Sequence, residues 1–143
     1  MIPPDAAAIH GITTEIANET GITMNTLLDA FHSDLIAENV EIIVAHNIRF
    51  DDPVIQSEMW RGSAKNQSQS HSHNQLLELF MSMERRCTML TGTLPGERWP
   101  RLADLYLRYF GVIPQGCHRA DSDVEFCAKI YFAMVEAGLC FRN

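Results

Sequence analysis

The stretch Val40–Asp51, Val-Glu-Ile-Ile-Val-Ala-His-Asn-Ile-Arg-Phe-Asp, decides the fold class of this chain. Its first half, Val40–Ala45, is short, apolar and rich in β-branched residues, which is typical of a strand covered on both faces in a parallel or mixed sheet. His46 and Asn47 follow at the carboxyl end of that strand, where open α/β sheets bind their ligands. The stretch therefore predicts an α/β domain with polar site residues directly after a strand.

Helical patterns lie on both sides of this strand, with apolar residues recurring at every third or fourth position. Asp52 and Pro53 have the residue types of a helix N-cap and a first helical position, so a helix is expected to begin there. Gly111 is the expected C-cap of a later helix. The predicted helices are, in chain order, one around Leu27–Ile36, one from Asp52 to about Arg61, and others over Gln75–Arg85, Pro100–Phe110 and Ser122–Gly138.

Residues 62–74 interrupt these patterns with a polar segment of low complexity. Such a composition predicts a flexible loop, because it has little apolar surface to bury. His71 and His73 are expected to be solvated there rather than to bind zinc, since no third ligand is near them in sequence. The chain shows no internal repeat and no clear domain boundary, so residues 1–143 are expected to form a single domain.

Charge and composition limit the class of function. The net charge of −7 argues against a protein that coats nucleic acid through phosphate contacts, because such proteins are usually basic. It is compatible with carboxylates that bind cations, which in turn face phosphate. No apolar run approaches the ~18 residues of a membrane span. The four scattered cysteines lack Cys-x-x-Cys spacing, which indicates reduced thiols in a cytoplasmic protein.

Several stretches in a fixed order resemble the DEDDh (DnaQ-like) 3′→5′ exonucleases. Ile9–Thr13, His-Gly-Ile-Thr preceded by isoleucine, is similar to one family segment, and Val44–Asp51 is similar to the second exonuclease motif. His118–Val124 fits the third motif, His-x-Ala-x-x-Asp. Cys87–Met89 and Trp99–Gly111 are further landmarks between them. The likeness spans nearly the whole chain, and the order of the segments makes it specific.

This resemblance implies both a fold and an activity. The implied fold is an RNase H-like mixed sheet flanked by helices. The implied activity is hydrolysis of DNA or RNA from the 3′ end to nucleoside monophosphates, with Mg²⁺ or Mn²⁺ in a two-metal site. The implied partners are the 3′ end of a single-stranded nucleic acid and, as in proofreading during replication or repair, a polymerase.

The resemblance also assigns roles to individual residues. Asp51 and Asp123 match the metal ligands, and His118 matches the general base. From residue type alone, Asp51 could be a helix N-cap, Asp123 an acid that complements a helix dipole, and His118 a surface histidine. Phe50 is expected to be a core residue more readily than a base-stacking platform. The residues expected to bind substrate are His10, Ile12, His46, Asn47 and Phe50.

The family's first motif, Asp-x-Glu on the first strand, is not found ahead of Ile9, where Asp5 is the sole acid. The domain is therefore expected to lack its N-terminal strands and two metal-binding carboxylates, and Val40–Ala45 is expected to lie beside a vacancy. Two interpretations follow. One is an exonuclease completed by a missing N-terminal segment or a separate polypeptide, and the other is a catalytically inactive domain that binds protein or nucleic acid. The presence of Asp51, His118 and Asp123 favours the first.

Overall fold

The computed structural model describes residues 1–65, 70–117 and 119–142. Within these ranges the chain is mostly helical, with a small sheet, and its fold class is α/β. None of the described helices combines the length and the apolar character that a membrane span requires. The elements are α1 Pro4–His10, α2 Thr14–Thr20, α3 Met24–Ala37, β1 Ile42–Ala45, α4 Ile48–Lys65, α5 Ser70–Ser82, β2 Glu84–Cys87, α6 Thr88–Gly92, α7 Leu102–Phe110 and α8 Ala120–Glu136.

The sheet consists of β1 and β2, which pair in parallel with Ile42 opposite Glu84 and Ala45 opposite Cys87. Parallel neighbours need a crossover connection, and α4 and α5 supply it. Cys87 also forms an isolated antiparallel bridge with Arg142 on the far side of β2. Strand β1 was correctly predicted as a member of a parallel sheet, but its two faces are covered only in part, because all four of its residues are half-buried.

Three groups of buried side chains place the sheet between two helical layers. The largest group joins α3, α4 and α5, and it contains Leu28, Leu35, Met59, Leu76, Leu77, Phe80 and Met83. A second group joins α7 to α8 through Leu105, Ile130 and Met134. Between them, Ile48, Cys87 and Met89 pack together with Ile43 and Ala45 of β1. Alternate side chains of β1 therefore point towards α4, while its opposite face is turned towards α8.

The prediction that Asp52 caps a helix is wrong. Helix α4 already begins at Ile48 and carries Pro53 inside it. The Asp52 carboxylate instead accepts hydrogen bonds from the Arg85 guanidinium, with the shorter N···O distance at 3.0 Å. Arg85 also donates to the carbonyl of Phe80 at 2.7 Å. Arg85 therefore contacts both the carboxyl end of α5 and helix α4. The helix that was predicted to reach Arg85 ends earlier, at Ser82, and Arg85 belongs to β2.

The loop predicted over residues 62–74 is wrong where the structure describes that segment. Helix α4 continues to Lys65 and α5 begins at Ser70, while residues 66–69 lie outside the described ranges. His73, expected in solvent, is 1% exposed. A Cβ atom added to Gly62 would lie 2.7 Å from His73 Nδ1, so the absence of a side chain at Gly62 makes room for the ring. The side chain of His71 lies outside the described part of the chain.

Candidate active site

The turn between β1 and α4 places the polar residues of the second motif. Asn47 adopts a φ of 77°, in the left-handed region that asparagine tolerates better than most residues, and the chain passes from strand to helix there. Ile48 is buried against Cys87 and Met89 and anchors the start of α4. Asp51 consequently lies in the first turn of α4, close to the carboxyl end of β1.

Helix α8 carries the acid of the third motif. Asp123 lies in the first turn of α8, and its backbone N–H donates to the Arg119 carbonyl at 2.9 Å. The buried face of the helix includes Cys127 and Ile130 and packs towards β1 and α7. Because residues four positions apart lie on the same side of a helix, Asp123 is directed to the same side as Cys127.

Asp51 and Asp123 line one pocket of about 710 Å³ between β1 and α8. His118, the predicted general base, lies outside the described residues. The two predicted metal ligands therefore border the same pocket beside β1, while the roles of all three residues stay predictions. The rest of the lining is largely apolar and consists of Ile42, Val44, Ala45, His46, Leu102, Ala120, Val124, Cys127, Ala128, Tyr131 and Phe132.

Burial works against the charged form of Asp51. Burial raises the pKa of the Asp51 carboxyl, and this effect exceeds the opposing effects of its own backbone N–H and of His46. At neutral pH an ionised Asp51 thus disfavours the folded state. A cation in the pocket would offset that cost, because it would add positive charge beside the Asp51 carboxylate.

His46 is held by hydrogen bonds at both ring nitrogens. Its Nε2 lies 3.0 Å from the Pro100 carbonyl oxygen, and its Nδ1 lies 3.0 Å from the Thr88 hydroxyl. Burial lowers the pKa of His46, although the Pro100 carbonyl and the charge of Asp51 act in the opposite direction. With both nitrogens bonded inside the protein, the neutral ring can offer only its carbon atoms to a nucleotide. The contacts of His46 therefore support a role in holding the site together.

The remaining residues expected to bind substrate lie in different surroundings. Phe50 is 68% exposed, so its expected place in the core is wrong, and an exposed aromatic ring precedes Asp51 in the chain. Asn47 is half-buried at the turn. His10 and Ile12 do not line the pocket described above. They belong to the end of α1 and the link to α2, two helices without a buried residue, where the Ile12 N–H donates to His10 Nδ1 at 3.1 Å.

Sequence reasoning missed Thr88 and Cys127 as neighbours of the site. The spacing of Cys127, one helical turn after Asp123, was a signal that could have found it. Thr88 lies in the Cys87–Met89 segment that resembles the family, but its contact with the site was not predicted, because part of the strand that precedes it was interpreted as the end of a helix. Its position became visible only when β2 was seen to pair with β1.

The pocket fits part of a site for a hard divalent cation. Carboxylate oxygens are the ligands that Mg²⁺ and Mn²⁺ prefer, and Asp51 and Asp123 present them in one cavity. Within residues 1–65, 70–117 and 119–142, no group of three His, Cys, Asp or Glu side chains converges. The described side chains thus offer two carboxylates, and the other coordination positions would fall to water or to groups supplied from elsewhere.

The substitution Asp51→Asn should stabilise the cation-free chain at neutral pH. The folded state holds the Asp51 proton to higher pH than the unfolded state does, so ionisation costs stability above the folded-state pKa. Asparagine removes this cost, and the advantage should vanish as the pH falls below the ordinary carboxyl range, where both states are protonated. Urea unfolding of both proteins at neutral and acidic pH measures the difference.

Glu78→Gln is the matched control for this prediction, because it removes one exposed carboxylate from the middle of α5. It should leave the free energy of unfolding almost unchanged, as surface substitutions usually do. An Asp51→Asn protein that is no more stable than the Glu78→Gln protein at neutral pH would show that the charge of Asp51 is already compensated.

Comparison with known proteins bears on the same residues. The exonuclease family model matches residues 1–131, which include Asp51, Asp123 and every described element up to most of α8. Among curated proteins, no significant match was found. Members of the matched family are nucleases that typically use divalent metal ions. Since the match covers most of the 143 residues, this chain belongs to the exonuclease family of the DEDDh, or DnaQ-like, type.

Proposed function

We propose that this chain is a metal-dependent 3′→5′ exonuclease domain that hydrolyses phosphodiester bonds of single-stranded DNA or RNA to nucleoside monophosphates. The observation that carries the proposal is that Asp51 and Asp123 both line one pocket in a chain of the exonuclease family. The two acids come from different elements, so their meeting is a property of the tertiary structure. A pocket at the carboxyl end of a parallel strand is also where α/β proteins bind ligands.

The side chains of the pocket have distinct parts in this reaction. Asp51 and Asp123 would hold divalent cations, which when bound neutralise phosphate charge and activate the attacking water. His118 would accept the proton of that water, a common task of histidine in general base catalysis. His46 holds the turn before Asp51 through its two hydrogen bonds.

The free edge of β1 is part of the proposal. Among the described residues β1 pairs only with β2, and its Ile42 and Val44 side chains line the pocket. Across the pocket, Val124 and Phe132 of α8 are 69% and 61% exposed. A free strand edge beside exposed apolar side chains is suited to strand addition. We place there the Asp-x-Glu strand of an RNase H-like sheet, from the same or a separate polypeptide, as the source of further ligands.

A catalytically inactive domain that binds protein or nucleic acid is the alternative function. The observation that favours it is that the described side chains offer two convergent carboxylates, fewer than a two-metal site needs. The same pocket would then hold a partner or a nucleic-acid end without hydrolysis. The two functions differ in whether bound nucleic acid is consumed.

Product analysis separates these functions. In the chain supplied with an Asp-x-Glu strand, a 3′-labelled single strand should release its label at once as a mononucleotide, and a 5′-labelled strand should shorten stepwise. Chelation of divalent cations should stop both. His118→Ala should slow release by ~10²–10⁴-fold, the usual worth of a general base. His32→Ala, on α3 and outside the pocket lining, should not slow it. Tight binding without product would establish the alternative.

A further inference from the structure

Thr88 is a buried hydroxyl at the meeting point of several elements. It is the first residue of α6, directly after β2, and its side chain is 0% exposed. Its Oγ1 lies 3.0 Å from His46 Nδ1, 3.4 Å from the Ala45 carbonyl oxygen and 3.7 Å from Cys127 Sγ. A buried polar group with this many neighbours has a defined set of donors and acceptors, which can be worked out from its partners.

The direction of these hydrogen bonds follows from the Pro100 carbonyl. That oxygen can only accept, so His46 Nε2 carries the ring proton and Nδ1 of the neutral ring is an acceptor. Thr88 therefore donates its single hydroxyl proton to Nδ1, its shorter contact. Its oxygen can accept from the Cys127 thiol, which keeps its proton because burial raises the pKa of Cys127. The result is one chain of donors from Cys127 through Thr88 and His46 to Pro100.

This chain joins the two elements that carry the acids. His46 belongs to the turn that leads into the first helical turn with Asp51. Cys127 lies one turn after Asp123 on the same side of α8. The Thr88 hydroxyl thus contacts both the β1–α4 turn and α8, although Thr88 itself does not line the pocket.

We propose that Thr88 is a positioning residue of this site: its hydroxyl holds the His46 ring and helix α8 in a fixed relation and so sets how Asp51 and Asp123 face each other. The claim that Thr88 fixes the His46 ring does not depend on any reaction. The claim that Thr88 thereby places Asp51 and Asp123 for a cation rests on the proposed function. Thr88 acts through these two contacts and touches no substrate. The group it would serve is a divalent cation held by Asp51 and Asp123.

A role in packing alone makes the opposite prediction about substitutions. Valine keeps the volume of threonine but loses the hydroxyl, whereas serine keeps the hydroxyl and loses a methyl group. If Thr88 only fills space, Thr88→Val should be the milder change. If its hydrogen bonds matter, Thr88→Ser should be milder, because valine leaves His46 Nδ1 buried without a donor. Thr88→Ala and Thr88→Ser form a second pair that differs by one oxygen atom, for use if the valine protein does not fold.

The first measurement tests the hold on His46. In the 143-residue chain labelled with ¹⁵N-histidine, the parent and Thr88→Ser proteins should keep a slowly exchanging Nε2–H signal of His46. In Thr88→Val or Thr88→Ala, this proton should exchange about 5–10-fold faster, since the loss of one hydrogen bond frees the ring. Thr93→Val removes a hydroxyl bonded to the Met89 carbonyl just beyond α6 and should not change the signal. Equal exchange in the valine and parent proteins would overturn the proposal.

The second measurement tests the consequence for the acids by titration with Mn²⁺ alone. Paramagnetic broadening of the Asp51 and Asp123 amide signals should occur together in the parent and Thr88→Ser proteins. Thr88→Val or Thr88→Ala should need about 10-fold more Mn²⁺, a typical effect of altering groups behind metal ligands. If Mn²⁺ broadens neither signal in the parent even when a strand that carries Asp-x-Glu is supplied, the proposed metal-dependent function fails, and the exchange measurement still decides on the hold on His46. If Mn²⁺ broadens both signals in the parent, and Thr88→Val and Thr88→Ser need the same Mn²⁺ concentration, the proposal for Thr88 fails and the proposed function stands.

Discussion

Supplying the chain with a strand that carries Asp-x-Glu should raise its release of mononucleotides by orders of magnitude. The described residues bring two carboxylates, Asp51 and Asp123, to the pocket, so Mg²⁺ alone would keep most of its water and bind weakly. A strand on the free edge of β1 would add the acids that a second ion needs. The experiment fuses such a segment ahead of Met1, or adds it as a separate peptide, and measures release from a 3′-labelled single strand in Mg²⁺ or Mn²⁺.

The control segment carries Asn-x-Gln in place of Asp-x-Glu. It should add to the free edge of β1 in the same way, because strand pairing depends on backbone groups and apolar side chains. It should therefore raise the stability of the fold without restoring turnover. If the 143-residue chain alone, free of contaminating nuclease, releases mononucleotides as fast as the extended form, the need for an added strand is refuted.

In the extended form, Asp123→Asn should reduce turnover by at least about 100-fold. Asparagine has the shape of aspartate, so the packing of α8 should be preserved, but it has no negative charge and a single carbonyl oxygen for a cation. Changes behind metal ligands typically cost 10–100-fold in metal affinity or activity, and the loss of a ligand should cost at least as much. The rate of mononucleotide release at saturating nucleic acid and a range of Mn²⁺ concentrations measures the effect.

Asp121→Asn is the matched control for this substitution. Asp121 also lies in the first turn of α8, so both changes remove the same favourable interaction with the helix dipole. Its side chain is exposed, pairs with Arg119 at 3.3 Å and does not line the pocket. Asp121→Asn should therefore retain nearly full turnover. If both variants lose the same share of turnover, the negative charge at the start of α8 matters, and Asp123 is not needed as a metal ligand.

Long, regular patterns in the sequence were sufficient for much of the fold. The helices at α3, α7 and α8 and the strand β1 lie where periodicity predicted them, to within a few residues. The Gly111 C-cap was also predicted, and the structure confirms it with a φ of 71°. These features depend on neighbours along the chain, because helix periodicity, caps and β-branched runs act over a few residues.

The errors have a common physical cause in contacts between distant residues. Glu84–Arg86 is charged and gave no strand pattern, yet it forms most of β2 because β1 offers it backbone partners. Asp52 has the residue type of a helix cap, but its carboxylate accepts hydrogen bonds from Arg85, which lies 33 positions away in the sequence. His73 lies in a polar segment, but the space beside Gly62 admits its ring. In each case tertiary packing overrode a weaker local preference.

The sequence by itself determined the family and the order of its acidic motifs, because both are written in residue types and spacing. It did not determine that Asp51 and Asp123 share a pocket beside β1, nor that Thr88 joins His46 to Cys127. Those relations exist only after β1 pairs with β2 and α8 packs towards β1, since folding alone brings together groups from separate elements. The charge of Asp51 likewise became costly through burial, which no neighbour in sequence imposes.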